Sequence, residues 1–335
     1  EEGGLRALTG RVESCHRVAG LVKFAAKRSG SRFLIGREGW KGVVVSKLMY
    51  GAGALVWKAE ERNRLENEQM AFGRWLWRVQ QSVRNGVVHG ESGWSTFAER
   101  EAKAKMGLLC RIFRYEGLVT DVGRGVLLEI GMKSNWWRVI NKIACDHDFE
   151  GIYYMLRYRR LFPRGARLAR ISIKMIQQIQ RPVLQMEIRR KAHERWKRSL
   201  DGTERTVRYS EKKETMKMER YADGGDGARV RLMARGDSLM VRACPNLSWM
   251  YEEEEERRCV CGMEENERHV LLHCQLYDLC RMEWLRVWAN EMGKEDPMDG
   301  VLGFVRMPEY VERLTLKTIG KIWRERSRVE EGRAQ

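Results

Sequence analysis

The sequence predicts a mainly α-helical protein: a helical, strongly basic majority followed by a small metal-stapled helical module. Three observations predict it. Only 5 prolines interrupt 335 residues, and 12 tryptophans supply large anchors for helix packing. Apolar residues recur mostly at helical rather than strand spacing. Near the C-terminus, Cys259, Cys261, His269 and Cys274 form C-x-C-x7-H-x4-C. Composition shifts divide the chain into a helical region 1–85, a basic helical region 86–200, a linker 201–228 and a module 229–335.

Residues 1–30 read as an amphipathic helix through Leu5, Leu8, Val12, Val18 and Val22. Cys15 and His16 lie in it; an adjacent pair chelates poorly, so packing is the better reading. SRFLIGREGW is a short apolar break. VVVSKLMYGAGALVW fits either a helix bent at its glycines or a strand and turn. Residues 60–80 form a helix with Leu65, Phe72, Leu76 and Val79 on one face. Arg62, Arg64, Arg74 and Arg78 lie largely off that face, and packing is favoured over nucleic-acid contact. Residues 86–93 read as a loop. Thr96 and Glu99 form a capping box that starts a helix through Ala98, Ala102, Leu109, Ile112 and Phe113. Gly117 can end it, and helical pieces follow at 126–130 and 136–144. Cys145, Asp146, His147 and Asp148 are a polar cluster, but four adjacent residues cannot all face one ion.

Residues 151–200 change character, with 14 Lys and Arg against 2 acidic residues. Solvated helix faces usually alternate sign, so this imbalance points to a polyanion. Arg157, Arg159, Arg160, Arg164, Arg167, Arg170, Lys174, Arg189, Arg190, Lys191 and Arg195 are the candidate phosphate contacts. Tyr158 among them can stack on an unpaired base. Pro163 and Pro182 bound a helix through Leu168, Ile171, Met175, Ile176 and Ile179. Residues 201–228 are polar and Gly-rich, as a linker would be.

The Cys/His window carries the most specific chemistry. Thiolate and imidazole ligands in fours, in one short window, favour zinc. The alternative is a reduced cysteine pair beside a surface histidine. Gly262 stands where a metal-binding turn needs a positive φ. A helix is expected from Glu267 on. His269 and Cys274 are five apart, not an ideal i,i+4 pair, so one must sit near a helix end or use its side-chain reach. His273 is a rival ligand. No Glu follows His269, so the general base of an H-E-x-x-H protease is missing. Four protein ligands also favour a closed structural site over a zinc hydrolase. The acidic run 252–256 reads as solvated. Trp284, Leu285, Trp288 and Met292 continue a helix, 297–303 is a turn region, and 311–326 is a terminal helix with Leu314, Ile319, Ile322 and Trp323 available to pack.

The formal charge of +17 implies a nucleic-acid partner, RNA or DNA, ahead of an anionic membrane. No apolar run approaches membrane-spanning length. Among the 8 cysteines are the three of the metal-type cluster, which with no signal peptide favours a reducing compartment. The sequence opens at Glu1 rather than Met, as a fragment or processed product would.

ERRCVCGMEENERHVLLHCQLYDLCR resembles the cysteine-histidine motif near the C-terminus of reverse transcriptases from non-LTR (LINE-like) retrotransposons. ARVRLMARGDSLMV resembles the basic lead-in of such chains. VVVSKLMYGAGALVWKAEERNRLENEQMAFGRWLWRV resembles the thumb segment after their polymerase palm, which makes 1–85 thumb-like. The resemblance implies an RNA-directed DNA polymerase acting in the nucleus, of which this segment grips template RNA or target DNA. Tyr221-Ala222-Asp223-Gly224 imitates the catalytic Y-x-D-D turn, but Gly224 replaces the second Asp and the flanks are charged. No catalytic residue is therefore assigned, and this segment by itself is expected to be inactive. The residues after Cys280 show no endonuclease-like carboxylate cluster. The competing expectation is a zinc-stapled helical protein-interaction module with a basic surface.

Overall fold

The computed structural model describes the chain apart from residues 1, 119, 123–133, 148, 150–180, 201, 203, 245–246, 248–249 and 334–335. The expected helices at 126–130 and between Pro163 and Pro182 lie outside the described residues, wholly or nearly so. So do Arg157, Tyr158, Arg159, Arg160, Arg164, Arg167, Arg170 and Lys174.

The protein is mainly helical, and among the described residues no strand forms. The helices are α1 (Glu2–Arg28), α2 (Arg32–Gly39), α3 (Val45–Leu48), α4 (Ala59–Trp77), α5 (Asn85–Ser92), α6 (Phe97–Arg114) and α7 (Asn135–Asp146). They continue with α8 (Arg181–Arg198), α9 (Glu204–Lys212), α10 (Asp226–Arg235), α11 (Asp278–Met292), α12 (Pro297–Leu302) and α13 (Glu309–Arg333). None of the described helices is long and apolar enough to cross a membrane. The chain forms two compact units, each gathered from distant segments. One comprises Glu1–Gly20, Trp40–Glu68 and Ser95–Arg195; the other comprises Leu21–Gly39, Gln69–Trp94 and Trp196–Gln335.

In the first unit the core joins α6, α7 and α8 through Ala102, Met106, Leu109, Trp137, Ile140, Leu184 and Ile188. Thr96 caps α6 as expected, its hydroxyl accepting from the Glu99 amide at 3.1 Å. The Glu99 carboxylate turns instead to Lys103. Cys15 is buried, in line with packing. The 43–57 run resolves to the end of a π-helical turn (Trp40–Val44), helix α3 and a turn whose Gly51 has φ +70. Lys105 is fully buried and donates to the Ala52 and Leu55 carbonyls, which ties that turn to α6.

The second unit overturns three local expectations. Residues 86–93 are not a loop: α5 buries every position from Gly86 to Ser92. Its glycines serve packing, because a Cβ at Gly90 would stand 2.8 Å from the Trp196 ring. The Trp196 indole donates to the Gly86 carbonyl at 2.7 Å. The apolar break is helix α2, with Phe33 packed at 4.5 Å from Trp77. The Gly-rich stretch 201–228 carries α9 and buries Tyr209 and Tyr221. Both hydroxyls donate to Glu91, the Tyr209 one at 2.7 Å, and Arg235 reaches the same carboxylate at 2.8 Å. These long-range partners make structure from a segment whose composition is that of a linker.

The module is built on a close crossing of α10 and α13. Gly320 faces the Gly227 amide so tightly that a Cβ there would stand 2.9 Å from it. Trp284 of α11 donates to Thr315 Oγ1 at 2.8 Å. The 297–303 turn region contains a short helix, α12, capped by the Asp296 carboxylate, which accepts from the Met298 amide at 3.0 Å. Arg231 and Arg235 of α10 are buried and donate to carbonyls of Gly300 to Gly303. Two of the three arginines of RVRLMAR, Arg231 and Arg235, are thus spent inside the protein, on carbonyls at the end of a helix.

Candidate metal centre

The ligand cluster is made by two short pieces of chain that meet. The first is a hairpin-like knuckle. Its Cys259 amide donates to the Met263 carbonyl at 2.7 Å, and the Gly262 amide to the Cys259 carbonyl at 2.8 Å. Arg258 and Glu264 form an isolated antiparallel bridge that closes it. Gly262 has φ +90, as the sequence required, and no neighbour crowds it. Its glycine answers the backbone angle, not a lack of space.

The second piece is a helical turn that begins at Glu267 and becomes a π-helix over His269–His273. Asn266 caps it, its side chain accepting from the His269 amide at 2.8 Å. The π-turn removes the spacing difficulty. In an α-helix, residues five apart point in different directions, whereas in a π-turn residue i+5 comes back over residue i. The Cys274 amide donates to the His269 carbonyl at 2.7 Å, and both side chains turn to the knuckle.

The four ligand atoms all lie within 4.8 Å of one another. Cys259 Sγ and Cys274 Sγ are 3.6 Å apart, and Cys261 Sγ and Cys274 Sγ 3.8 Å. His269 Nε2 is 3.2 Å from Cys261 Sγ. Thiolates bonded at ~2.3 Å and an imidazole at ~2.0 Å around a tetrahedral ion stand about 3.5–3.8 Å apart, so the residues fit such a cation. They can hold a metal ion, and with four protein ligands they leave no position open. His273 is exposed and outside the cluster; His269 is the histidine that converges with the three cysteines.

Burial sets the protonation chemistry. It pushes the Cys259 thiol up and the Cys274 thiol up to about 12, and it lowers the His269 imidazole. Three thiols this close cannot all ionise beside one another without a compensating cation. A bound divalent ion reverses that balance and deprotonates them. Amide hydrogen bonds from Cys261 to the Cys259 sulfur and from Leu276 to the Cys274 sulfur favour the thiolates.

A shell of charged groups, invisible as a pattern in the sequence, holds the site. Arg281 is buried and donates to the Cys274 and Tyr277 carbonyls. Glu265, 1% exposed, accepts from Arg326 of α13 at 2.7 and 3.2 Å, and from the Arg242 amide at 3.1 Å. The only hint was the Arg that follows the motif; Arg326 lies too far along the chain to read as a partner.

Of the other candidates, four are described. Arg190 pairs with Glu187 at 2.8 Å and with Glu194, as on a solvated helix face. Arg195 donates to His147 Nε2 at 3.0 Å, while the His147 Nδ1–H donates to the Ile143 carbonyl at 2.8 Å. Arg189 is exposed and Lys191 half-buried. The cluster at 145–147 does not converge: Cys145 is exposed and His147 buried. Tyr221 is committed to Glu91, and Asp223 closes a turn by accepting from the Gly225 amide at 2.7 Å. No family model, curated protein or solved structure matches the chain.

Proposed function

We propose that the chain is a zinc-bearing, nucleic-acid-binding segment of the kind that runs from the thumb to the C-terminal cysteine-histidine motif in non-LTR retrotransposon reverse transcriptases. The observation that carries this reading is the convergence of Cys259, Cys261, His269 and Cys274 at tetrahedral spacing, in a chain of net charge +17. Three thiolates and one imidazole are soft donors that suit zinc. Bound Zn²⁺ with three thiolates carries one net negative charge, and the buried Arg281 cation beside Cys274 offsets it. The metal joins the knuckle to the π-turn and serves structure. The basic residues 151–200 neutralise phosphates, and release of counterions drives binding.

Two measurements test this. Elemental analysis of reduced protein should find one zinc per chain, lost in Cys259→Ser and Cys274→Ser. Filter binding over a salt series should show steeply salt-dependent affinity for RNA or DNA. Replacing Arg157, Arg159 and Arg160 with Ala should flatten the slope by about 2, at ~0.7 per phosphate contact on single strands. Absence of zinc, or salt-insensitive binding, would refute the reading.

A second reading has one observation in its favour. Val260, Met263, Leu279 and Met282 around the metal motif are more than half exposed. Such side chains suit a protein-interaction module. A partner held by them would resist salt.

A further inference from the structure

A row of cations runs along the outer edge of the terminal helix α13. Arg313, Lys317, Lys321, Arg324 and Arg328 are all exposed. At about 100° per residue they fall within an arc of roughly 80°, along ~22 Å of helix. No acidic residue occupies that arc between Arg313 and Arg328. Among the described residues Arg313 pairs with the exposed Glu309, and Arg328 with Glu325. Arg324 pairs with Asp226 at 2.7 Å. The Arg313 pair, exposed on both sides, is weak and gives way to a stronger anion. Among the described residues, neither Lys317 nor Lys321 at the centre of the row has a carboxylate partner.

The opposite face of α13 is fixed in the core by Val311, Thr315, Ile319 and Ile322. The row is therefore presented on a rigid support. An interfacial membrane helix needs its apolar face free, and here that face is occupied. What fits a straight, single-sign row is a polymer that repeats negative charge at short intervals, as a nucleic-acid strand does every ~3.4 Å. Tyr310, 53% exposed, lies on the same edge and offers a ring to an unpaired base.

We propose that this edge of α13 is a sequence-independent seat for the phosphate backbone of a nucleic acid. The proposal rests on the nucleic-acid reading above, but it uses a surface supplied by neither residues 151–200 nor the metal ligands. The test compares full-length chains in salt-series binding to RNA, single-stranded DNA and duplex DNA oligonucleotides. One variant carries Arg313→Gln, Lys317→Gln and Lys321→Gln. A control carries Arg286→Gln, Lys294→Gln and Arg306→Gln, exposed positions that remove the same charge elsewhere. Circular dichroism and thermal midpoints confirm folding of both. The α13 variant should lose about 2–3 units of salt slope, at ~0.7–0.9 per lost contact, and the control less than about 1. Equal losses in both variants, or an unchanged slope in the α13 variant, would overturn this seat and leave the nucleic-acid reading standing. A wild-type chain that binds no nucleic acid, or binds only anionic phosphatidylserine vesicles, would overturn both.

Discussion

Arg326→Met should uncouple the metal loop from the terminal helix. Glu265 is buried between the knuckle and the π-turn, and Arg326 supplies it with two hydrogen bonds of 2.7 and 3.2 Å. Stripping one partner from a buried ion pair costs about 3–5 kcal/mol, because the remaining charge keeps its desolvation penalty. The lower end, about 3 kcal/mol, applies here, since Arg242 still offers its amide at 3.1 Å and its guanidinium at 3.5 Å. For a folding unit of this size that is on the order of 10 °C in thermal midpoint. Adding Glu265→Gln to Arg326→Met should recover part of the loss. Gln keeps an acceptor for the Arg242 amide and removes the stranded charge. The assay is thermal and urea unfolding of metal-loaded protein, with metal affinity followed by competition with a chelator. A single variant within 0.5 kcal/mol of wild type, or a double variant worse than the single by the sum of its parts, would refute the reasoning.

Acid should loosen the second unit through Glu91. Burial by itself would push this carboxyl up, but the Arg235 and Lys213 cations and the Tyr221 and Tyr209 hydroxyls outweigh it and hold it below the usual carboxylate range. A depressed folded-state value means stability present at neutral pH and lost as pH falls through that value. Glu91→Gln should therefore lower the thermal midpoint at pH 7 and flatten its decline as pH falls below the usual carboxylate range. His269→Ala should abolish metal binding, whereas His273→Ala should leave the metal stoichiometry unchanged by elemental analysis. Gly227→Ala should destabilise by about 3 kcal/mol or more, the upper end of the range for overpacking or beyond, because its Cβ meets the rigid backbone of Leu316 rather than a movable side chain. Denaturant midpoints measure it.

The sequence by itself determined the helical class, because few prolines and helical apolar spacing leave little else to form. It determined the ligand set as far as residue types and compact spacing go, the positive φ at Gly262 and the Thr96 cap, since each is a matter of local chemistry. Tertiary structure decided the rest. It brought His269 rather than His273 to the cysteines by placing a π-turn under the motif, a helix variant that no apolar period announces. It turned the 86–93 stretch into a buried helix, because Trp196 and Tyr209, over a hundred residues away, need the space its glycines leave. It made Arg231 and Arg235 of α10 internal, where their guanidiniums satisfy the carbonyls that end α12. Local pattern reports which groups a segment carries. Only the packed chain decides whether a charge faces water, a carbonyl or a buried carboxylate, because that depends on partners far away in sequence.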